Sequence, residues 1–455
     1  MTKVLRSGIE PPKVKLVTEV WGPIKSLMAA RRNILEIIPE AATKQPIVSG
    51  RTGGVRWHMV MEPKAIGRIL NENLDIYPKS DVTKNLLKPA IGDSMFIAEG
   101  AHWRWQRRAA SPVFTHRNIA SLAPIMSAAA DATCARINAA SDTVDMYEEM
   151  VAATFEVISN VTFSGSGAMG SDAVHNAINR YIDQTARVSL FDILGLPGWI
   201  PRPSRIFQPN ALKQMKRIAN DAIEKRKELG AKPVPDLLDL LLEGEDPETK
   251  RKMEMAELRD NLLTFIVAGH ETTALTLSWA LYLCAFDPEV QEKLRTEARS
   301  VLQGRVATAD DCAALPYTEQ VIKEALRLYP PAAFISRTIQ ADDMLCGRDI
   351  KRKDTVMLPI YALHRHHDLW DRPDQFDPER FADGHKPERY SYLPFGDGPR
   401  ICIGAQFAMI EAKIILATLI ARYRFEHIAD RDDPKPVMVL TLRPEGGVPL
   451  KVTRL

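Results

Sequence analysis

The sequence predicts a mainly α-helical protein with a minor β portion, on three observations. Apolar residues recur at helical spacing through most of the stretch from residue 101 to 328. Short β-favouring pieces fall toward the two ends, around 46–61, 335–359 and 437–453. No Ser/Gly-rich linker, low-complexity run or repeat marks a boundary, so one large domain over residues 1–455 is the simplest organisation.

Each element follows from local chemistry. Pro46 to Met61 alternates β-favouring pieces around Thr52-Gly53-Gly54, a hairpin signal, and a helical pattern follows from Pro63 to Asn71. A long irregular stretch is expected from about Ile76 to Gly100. Helices are then predicted over 101–113, 118–138, 145–163, 171–189, 205–229, 234–243, 255–286, 288–303 and 316–328. Beyond them come β pieces near 335–340 and 355–359, and a last strand pair from Val437 to Thr453 around Pro444-Glu445-Gly446-Gly447.

Composition excludes several function classes. The 455 residues are 45% hydrophobic, enough to bury a large core, and 60 basic against 58 acidic residues leave a formal charge of +2 with no polybasic tail. Nucleic acid is therefore not an expected partner. Five cysteines (Cys134, Cys284, Cys312, Cys346, Cys402) are odd in number, far apart and without a CxxC pair, which indicates neither a disulfide framework nor a zinc site. Charges at Lys3, Arg6, Glu10, Lys13, Lys15, Glu19 and Lys25 leave no signal peptide or transmembrane anchor, so a cytoplasmic location is expected. The most apolar segment, Asn261 to Phe286, is interrupted by His270 and Glu271 and reads as a buried core helix.

The chemistry concentrates near the C-terminus. Phe395-Gly396-Asp397-Gly398-Pro399-Arg400-Ile401-Cys402-Ile403-Gly404 places one cysteine at the mouth of a helix whose apolar positions include Phe407, Ile410, Ile414 and Ala417. Glycines let the loop take positive φ and lie close to a flat partner, and free N–H groups with the helix dipole favour a thiolate. Cys402 therefore reads as a metal ligand, with Arg400 as a cation for an anionic ligand edge. In Phe395, Gly396, Gly398, Arg400, Cys402 and Gly404 the loop resembles the haem-binding loop of the haem-thiolate monooxygenases, the cytochrome P450 family. The order and spacing of elements resemble that family over nearly the whole chain. The implied fold holds haem b, iron protoporphyrin IX, between the long central helix and the cysteine-loop helix.

Further segments carry the resemblance. Glu324 and Arg327 fall three apart on a helix; read alone they describe a solvated ion pair worth a few tenths of a kcal/mol. They match the family's ExxR element, and Arg380 in Pro378-Glu379-Arg380-Phe381 matches its third member, so the resemblance implies a buried structural network behind the haem. Within Ala268-Gly269-His270-Glu271-Thr272-Thr273 a glycine weakens the helix and threonines can bond carbonyls one turn back, so a local opening is expected. Ala268 and Thr272 share a face, and Glu271 needs water, a partner or a proton if buried. Glu271 and Thr272 match the family's acid-alcohol pair, which implies proton delivery for O–O cleavage.

Trp103 and Arg107, four apart, would by themselves suit a surface cation–π pair. They match the family's WxxxR element, and with Arg337 and Arg400 the resemblance implies contacts to the haem propionates. His364, His366 and His367 sit in a charged loop better explained by solvation than by a metal, and the resemblance sets His364 near the haem edge. Trp199, in Leu196-Pro197-Gly198-Trp199, either covers a substrate entrance as in the family or packs its loop onto the core.

What the resemblance implies is a monooxygenase that takes O2 and inserts one oxygen atom into a hydrophobic small molecule. No strand–GxGxxG–helix pattern is present, so electrons are expected from separate carriers, a ferredoxin or flavodoxin with its NAD(P)H-dependent reductase, docking against Arg107, Arg108 and Lys413. Pocket positions implied by the resemblance are Leu86, Leu87, Phe96, Ile266, Ala268, Ala332, Ala333, Phe334 and Leu440, all apolar. The Tyr329-Pro330-Pro331 turn looks like that of fatty-acid-hydroxylating members, which favours a long-chain or terpenoid substrate. A peroxide-fed peroxygenase and a haem gas sensor or carrier are the alternatives, neither of which needs the acid-alcohol pair.

Overall fold

The computed structural model describes residues 10–19, 23–52, 54–163, 209–438 and 440–455. The expected helix over 171–189, the start of the one at 205 and Trp199 lie outside the described residues.

Among the described residues the α-helices are, in chain order, α1 (Pro23–Arg32), α2 (Pro63–Gly67), α3 (Asp81–Ile91), α4 (Gly100–Ala110), α5 (His116–Ala139), α6 (Met146–Phe163), α7 (Pro209–Leu229), α8 (Leu237–Glu243), α9 (Met255–Phe286), α10 (Pro288–Leu302), α11 (Pro316–Leu328), α12 (Ile360–Leu363) and α13 (Ala405–Arg422). The core lies around α9, which packs against α3, α6, α7, α11 and α13. Its residues from Ala274 to Phe286 are buried on all sides, as a helix apolar all round must be. Among the described residues no helix is long and apolar enough to cross a membrane.

The strands are β1 (Ile47–Thr52), β2 (Val55–Val60), β3 (Thr143–Asp145), β4 (Ile335–Thr338), β5 (Asp343–Leu345), β6 (Arg348–Ile350), β7 (Thr355–Leu358), β8 (Tyr423–His427), β9 (Lys435–Met438), β10 (Leu442–Glu445) and β11 (Pro449–Arg454). The largest described sheet has the order β1-β2-β7-β4, with β2 and β7 parallel and the other pairs antiparallel. The first hairpin forms as expected, with Thr52 opposite Val55.

Two expectations are corrected. The stretch from Ile76 to Gly100 is not irregular: Ser80 accepts the Thr83 N–H as N-cap, and α3 runs to Gly92, whose φ of 55° ends it. Pro89, which cannot donate a helical hydrogen bond, obscured that helix. At the tail, no strand pair forms across Pro444 to Gly447. β10 pairs with β9, whereas β11 pairs with β8 and β3, because positive φ at Gly446 and Gly447 swings the chain from one sheet to another.

One buried charge network ties α11 to the segment before the cysteine loop. Glu324 accepts from Arg327 Nε at 2.7 Å and Nη2 at 2.8 Å and from the Asp377 N–H at 2.9 Å, with both side chains wholly buried. Arg327 spends its remaining N–H groups on the carbonyls of His364, Pro373 and Gln375. Arg380 lies 3.5 Å from Glu324. The solvated alternative thus fails here, since a buried ion pair persists only when hydrogen bonds satisfy both ions.

His364 continues the chain. Its Nδ1 meets the Arg327 carbonyl at 3.2 Å, and its Nε2 accepts the Leu393 N–H at 2.9 Å. Full burial and then Arg327 push the imidazole down to about 3, so it stays neutral. His366 contacts the Gln45 carbonyl, and the His367 backbone N–H bonds the Thr43 carbonyl. His364 is therefore fixed inside the network rather than along an open edge, because two backbone groups claim both of its nitrogens.

Glu324→Gln leaves the Arg327 charge buried without its counter-ion and should destabilise the fold by about 3–5 kcal/mol, read as a lower urea midpoint at unchanged slope. A second expectation concerns acid. Because the folded His364 is depressed to about 3 from an unfolded value near 6.5, its contribution is full above pH 6.5 and is lost as pH falls toward 3. Wild type should lose up to about 1.4 kcal/mol per pH unit more than His364→Gln across that window in urea titrations.

Candidate active site

The cysteine loop is built by backbone geometry. Gly396 and Gly398 take φ of 72° and 69°, the left-handed region, and the Cys402 N–H closes the loop onto the Phe395 carbonyl at 2.9 Å. At Gly398 a Cβ would stand 2.3 Å from the Leu70 carbonyl oxygen, so only glycine lets the loop lie against the α2 extension. Gly404 differs: its φ is −90° and a Cβ there would make ordinary contact with Phe114, so its use is as the N-cap of α13.

Cys402 is accessible although it sits deep in the fold. Burial pushes its thiol up, while the Gly404 N–H and the Arg107 guanidinium pull it back. A coordinating metal cation deprotonates a thiol outright. Arg107 is half-buried and its charge faces Cys402.

On α9 the accessible residues are informative. Ala268 is exposed and Val267, Gly269 and Thr272 partly so, between the buried runs 260–266 and 273–286, which marks this stretch as the wall of an opening. The Thr272 hydroxyl donates to the Ala268 carbonyl at 2.8 Å, and Thr273 donates to Gly269 at 3.3 Å, as the threonine chemistry predicts. Gly269 abuts Ile158 of α6, where a Cβ would come within 3.1 Å. Phe114 lies between α9 and the start of α13, its ring tilted 59° to Phe265 with centroids 5.3 Å apart and lying beside Gly404.

Glu271 does find a partner. Its Oε1 accepts from Thr441 Oγ1 at 2.8 Å and from Arg443 Nε at 2.5 Å, joining α9 to the β9–β10 hairpin. The same hairpin is anchored by the Leu442 N–H on the Pro331 carbonyl and by Trp279 Nε1 on the Leu442 carbonyl. Neighbouring helical positions do not share a face, so Glu271 and Thr272 project to different surroundings. Neither Thr441 nor Arg443 was identified from the sequence. Glu411 of α13 was also missed: burial pushes its carboxyl well above the usual range, opposed by a hydrogen bond from Thr273.

A cluster of cations gathers at one edge. Arg337 and Lys79 are brought together by an antiparallel bridge, and Arg400 stacks 4.4 Å over Trp103 while its Nη1 donates to the Ala98 carbonyl. Arg337 Nε is buried without a hydrogen-bond partner, and burial and Arg400 push its guanidinium down to about 10. Lys79 Nζ rests 3.7 Å over the Phe96 ring, and burial with Arg337 and Arg400 pushes its ammonium down well below the usual range. An orphaned buried donor among like charges is what a dianionic ligand edge satisfies. With a soft sulfur and small residues at Ala268 and Thr272, these groups fit haem.

Of the expected pocket positions, Ala332 is exposed and Phe334 and Leu440 are partly accessible, whereas Ile266 and Ala333 are wholly buried and Leu86 and Leu87 nearly so. Ile266 and Ala333 thus belong to the packed core, not to an open wall. Two of the three expected docking cations are spent internally. Arg108 pairs with Asp246 at 2.7 Å and with Glu248, and Lys413 is buried on Glu319 and the Cys312 carbonyl. A long side chain on a helix reaches the nearest carboxylate, which the sequence does not locate.

Comparison with known proteins agrees with this geometry. The cytochrome P450 family profile matches residues 12–450. Cyclooctatin synthase of Streptomyces melanosporofaciens is 31% identical over 93% of this chain and 92% of its own length. Cytokinin hydroxylase of Arabidopsis thaliana is 32% identical over 86% of this chain and 77% of its own. A cytochrome P450DA haem domain shares the fold, with a TM-score of 0.78, 24% identity and 90% of each chain covered. The chain belongs to the cytochrome P450 family, whose members are haem-dependent monooxygenases.

Gly398→Ala forces a left-handed alanine against the Leu70 carbonyl and should weaken hemin uptake by the apoprotein about tenfold or more, from about 1–3 kcal/mol of strain. Gly384→Ala, with φ of 88° and nothing within 4 Å, should leave hemin titration unchanged.

Proposed function

We propose that the chain, folded as one domain, is a cytoplasmic hydroxylase that inserts one oxygen atom of O2 into a hydrophobic substrate, and that Cys402 is the residue that would hold the iron of haem b. The observation that carries this reading is the accessible Cys402 sulfur in a glycine-shaped loop, backed by an unsatisfied cationic edge. Haem supplies the redox chemistry, a thiolate ligand favouring O–O cleavage. Trp103, Arg337, Arg400 and Lys79 hold the carboxylate edge, and Arg107 lies nearer the sulfur.

Thr272 presents a hydroxyl at the accessible wall of α9, where it hands protons onward, and Glu271 supplies them from the side of the β9–β10 hairpin. Because Glu271 is held by Thr441 and Arg443, delivery requires a water or a rearranged side chain between it and Thr272. Ala268, Ala332, Phe334 and Leu440 shape the substrate space, with Phe96 at its edge under Lys79. Their apolar character favours a long-chain or terpenoid guest, in keeping with one relative named for cyclooctatin. Electrons come from a separate ferredoxin or flavodoxin and its NAD(P)H-dependent reductase.

The reduced, carbon-monoxide-bound protein should show the strongly red-shifted Soret band of thiolate ligation, and Cys402→Ser should abolish it. Thr272→Ala should keep that band but divert electrons into hydrogen peroxide, lowering product per NAD(P)H by tenfold or more. A gas carrier or a peroxygenase would be indifferent to this change.

A further inference from the structure

The cationic edge is not left to itself. Glu99 sits among its members: one oxygen meets Arg400 Nη2, and the other accepts the Lys79 N–H at 2.8 Å and lies 3.4 Å from Lys84 Nζ. Arg400, barely exposed, is thereby held from three sides, by Glu99, by the Ala98 carbonyl and by the Trp103 ring. Lys79, Lys84, Arg337 and Arg400 are four basic groups gathered around this one carboxylate, so among the described residues positive charge is in excess at this edge. The adjacent Arg104–Asp75 pair is exposed and neutral in sum.

We infer that Glu99 is the fixed counter-charge of the cofactor's carboxylate edge, positioning Arg400 and setting how readily the haem iron is reduced. This rests on the reading of a haem whose two carboxylates meet that edge. Whatever part of the cluster the two propionates neutralise, the edge is one charge more positive without Glu99 than with it. Reduction of ferric haem adds one electron and so removes one positive charge from the iron. An extra uncompensated cation nearby favours that step, and Glu99 opposes it. Glu99 touches no reacting atom, so it is a positioning and tuning residue.

The test is a redox titration of hemin-loaded, substrate-free protein followed in the visible spectrum. Glu99→Gln keeps the size of the side chain and removes its charge. It should raise the ferrous-to-ferric ratio at fixed solution potential by on the order of tenfold, the Coulomb effect of one charge at about 10 Å in an effective dielectric of about 20. Glu99→Asp should return to within about twofold of wild type. Lys84→Gln, which removes a partly buried cation from the same carboxylate, should shift the ratio the other way.

A Glu99→Gln protein with the wild-type ratio overturns the inference, as does an equal shift in Glu99→Asp, which loosened packing alone would give. If Glu99→Gln takes up no hemin, Lys84→Gln decides, and an unchanged ratio there overturns it. Wild-type protein that binds no hemin removes this inference along with the proposed function. Hemin bound without the thiolate signature sinks only the axial role of Cys402.

Discussion

Everything at the site is referred to one buried carboxylate. Glu324 fixes Arg327, Arg327 fixes the carbonyls around His364, and His364 holds the Leu393 N–H. Two residues further on, Phe395 receives the Cys402 N–H. A continuous run of hydrogen bonds thus leads from the interior of α11 to the sulfur. Its low-dielectric setting makes each link costly to break, which is how a loop rich in glycine keeps one shape.

Rigidity on the sulfur side contrasts with the opposite wall. There the long helix α9 carries its small and polar residues at one place, and threonine hydroxyls bond back to carbonyls without ending the helix. The β9–β10 hairpin reaches the same region from the far end of the chain. It brings Thr441 and Arg443 to Glu271 and is itself pinned to Pro331 and Trp279. Leu440 and the two partners of Glu271 therefore share a support, the turn and second strand of this hairpin.

Charge at the cofactor edge follows a similar economy. Lys79, Arg337 and Arg400 come from three distant segments, and their mutual repulsion is tolerable only with an anion among them. Glu99 supplies part of it permanently. Arg337 Nε, buried with no hydrogen-bond partner among the described residues, is the sign of a ligand, whereas Arg108 and Lys413, equally basic in sequence, are satisfied at home.

The sequence by itself determined helices α4 to α11 and α13, the first hairpin, and the residue types around Cys402, Glu324 and Thr272, because these depend on spacing within a few turns. It could not reveal α3, where a proline masked a capped helix, nor the parting of β10 from β11, where two glycines redirect the chain. Glu99 with Arg400, Glu271 with Arg443 and Glu411 with Thr273 are pairs separated by more than a hundred residues. Only the tertiary structure decides such partnerships, since burial and charge balance belong to the space where segments meet and not to either segment alone.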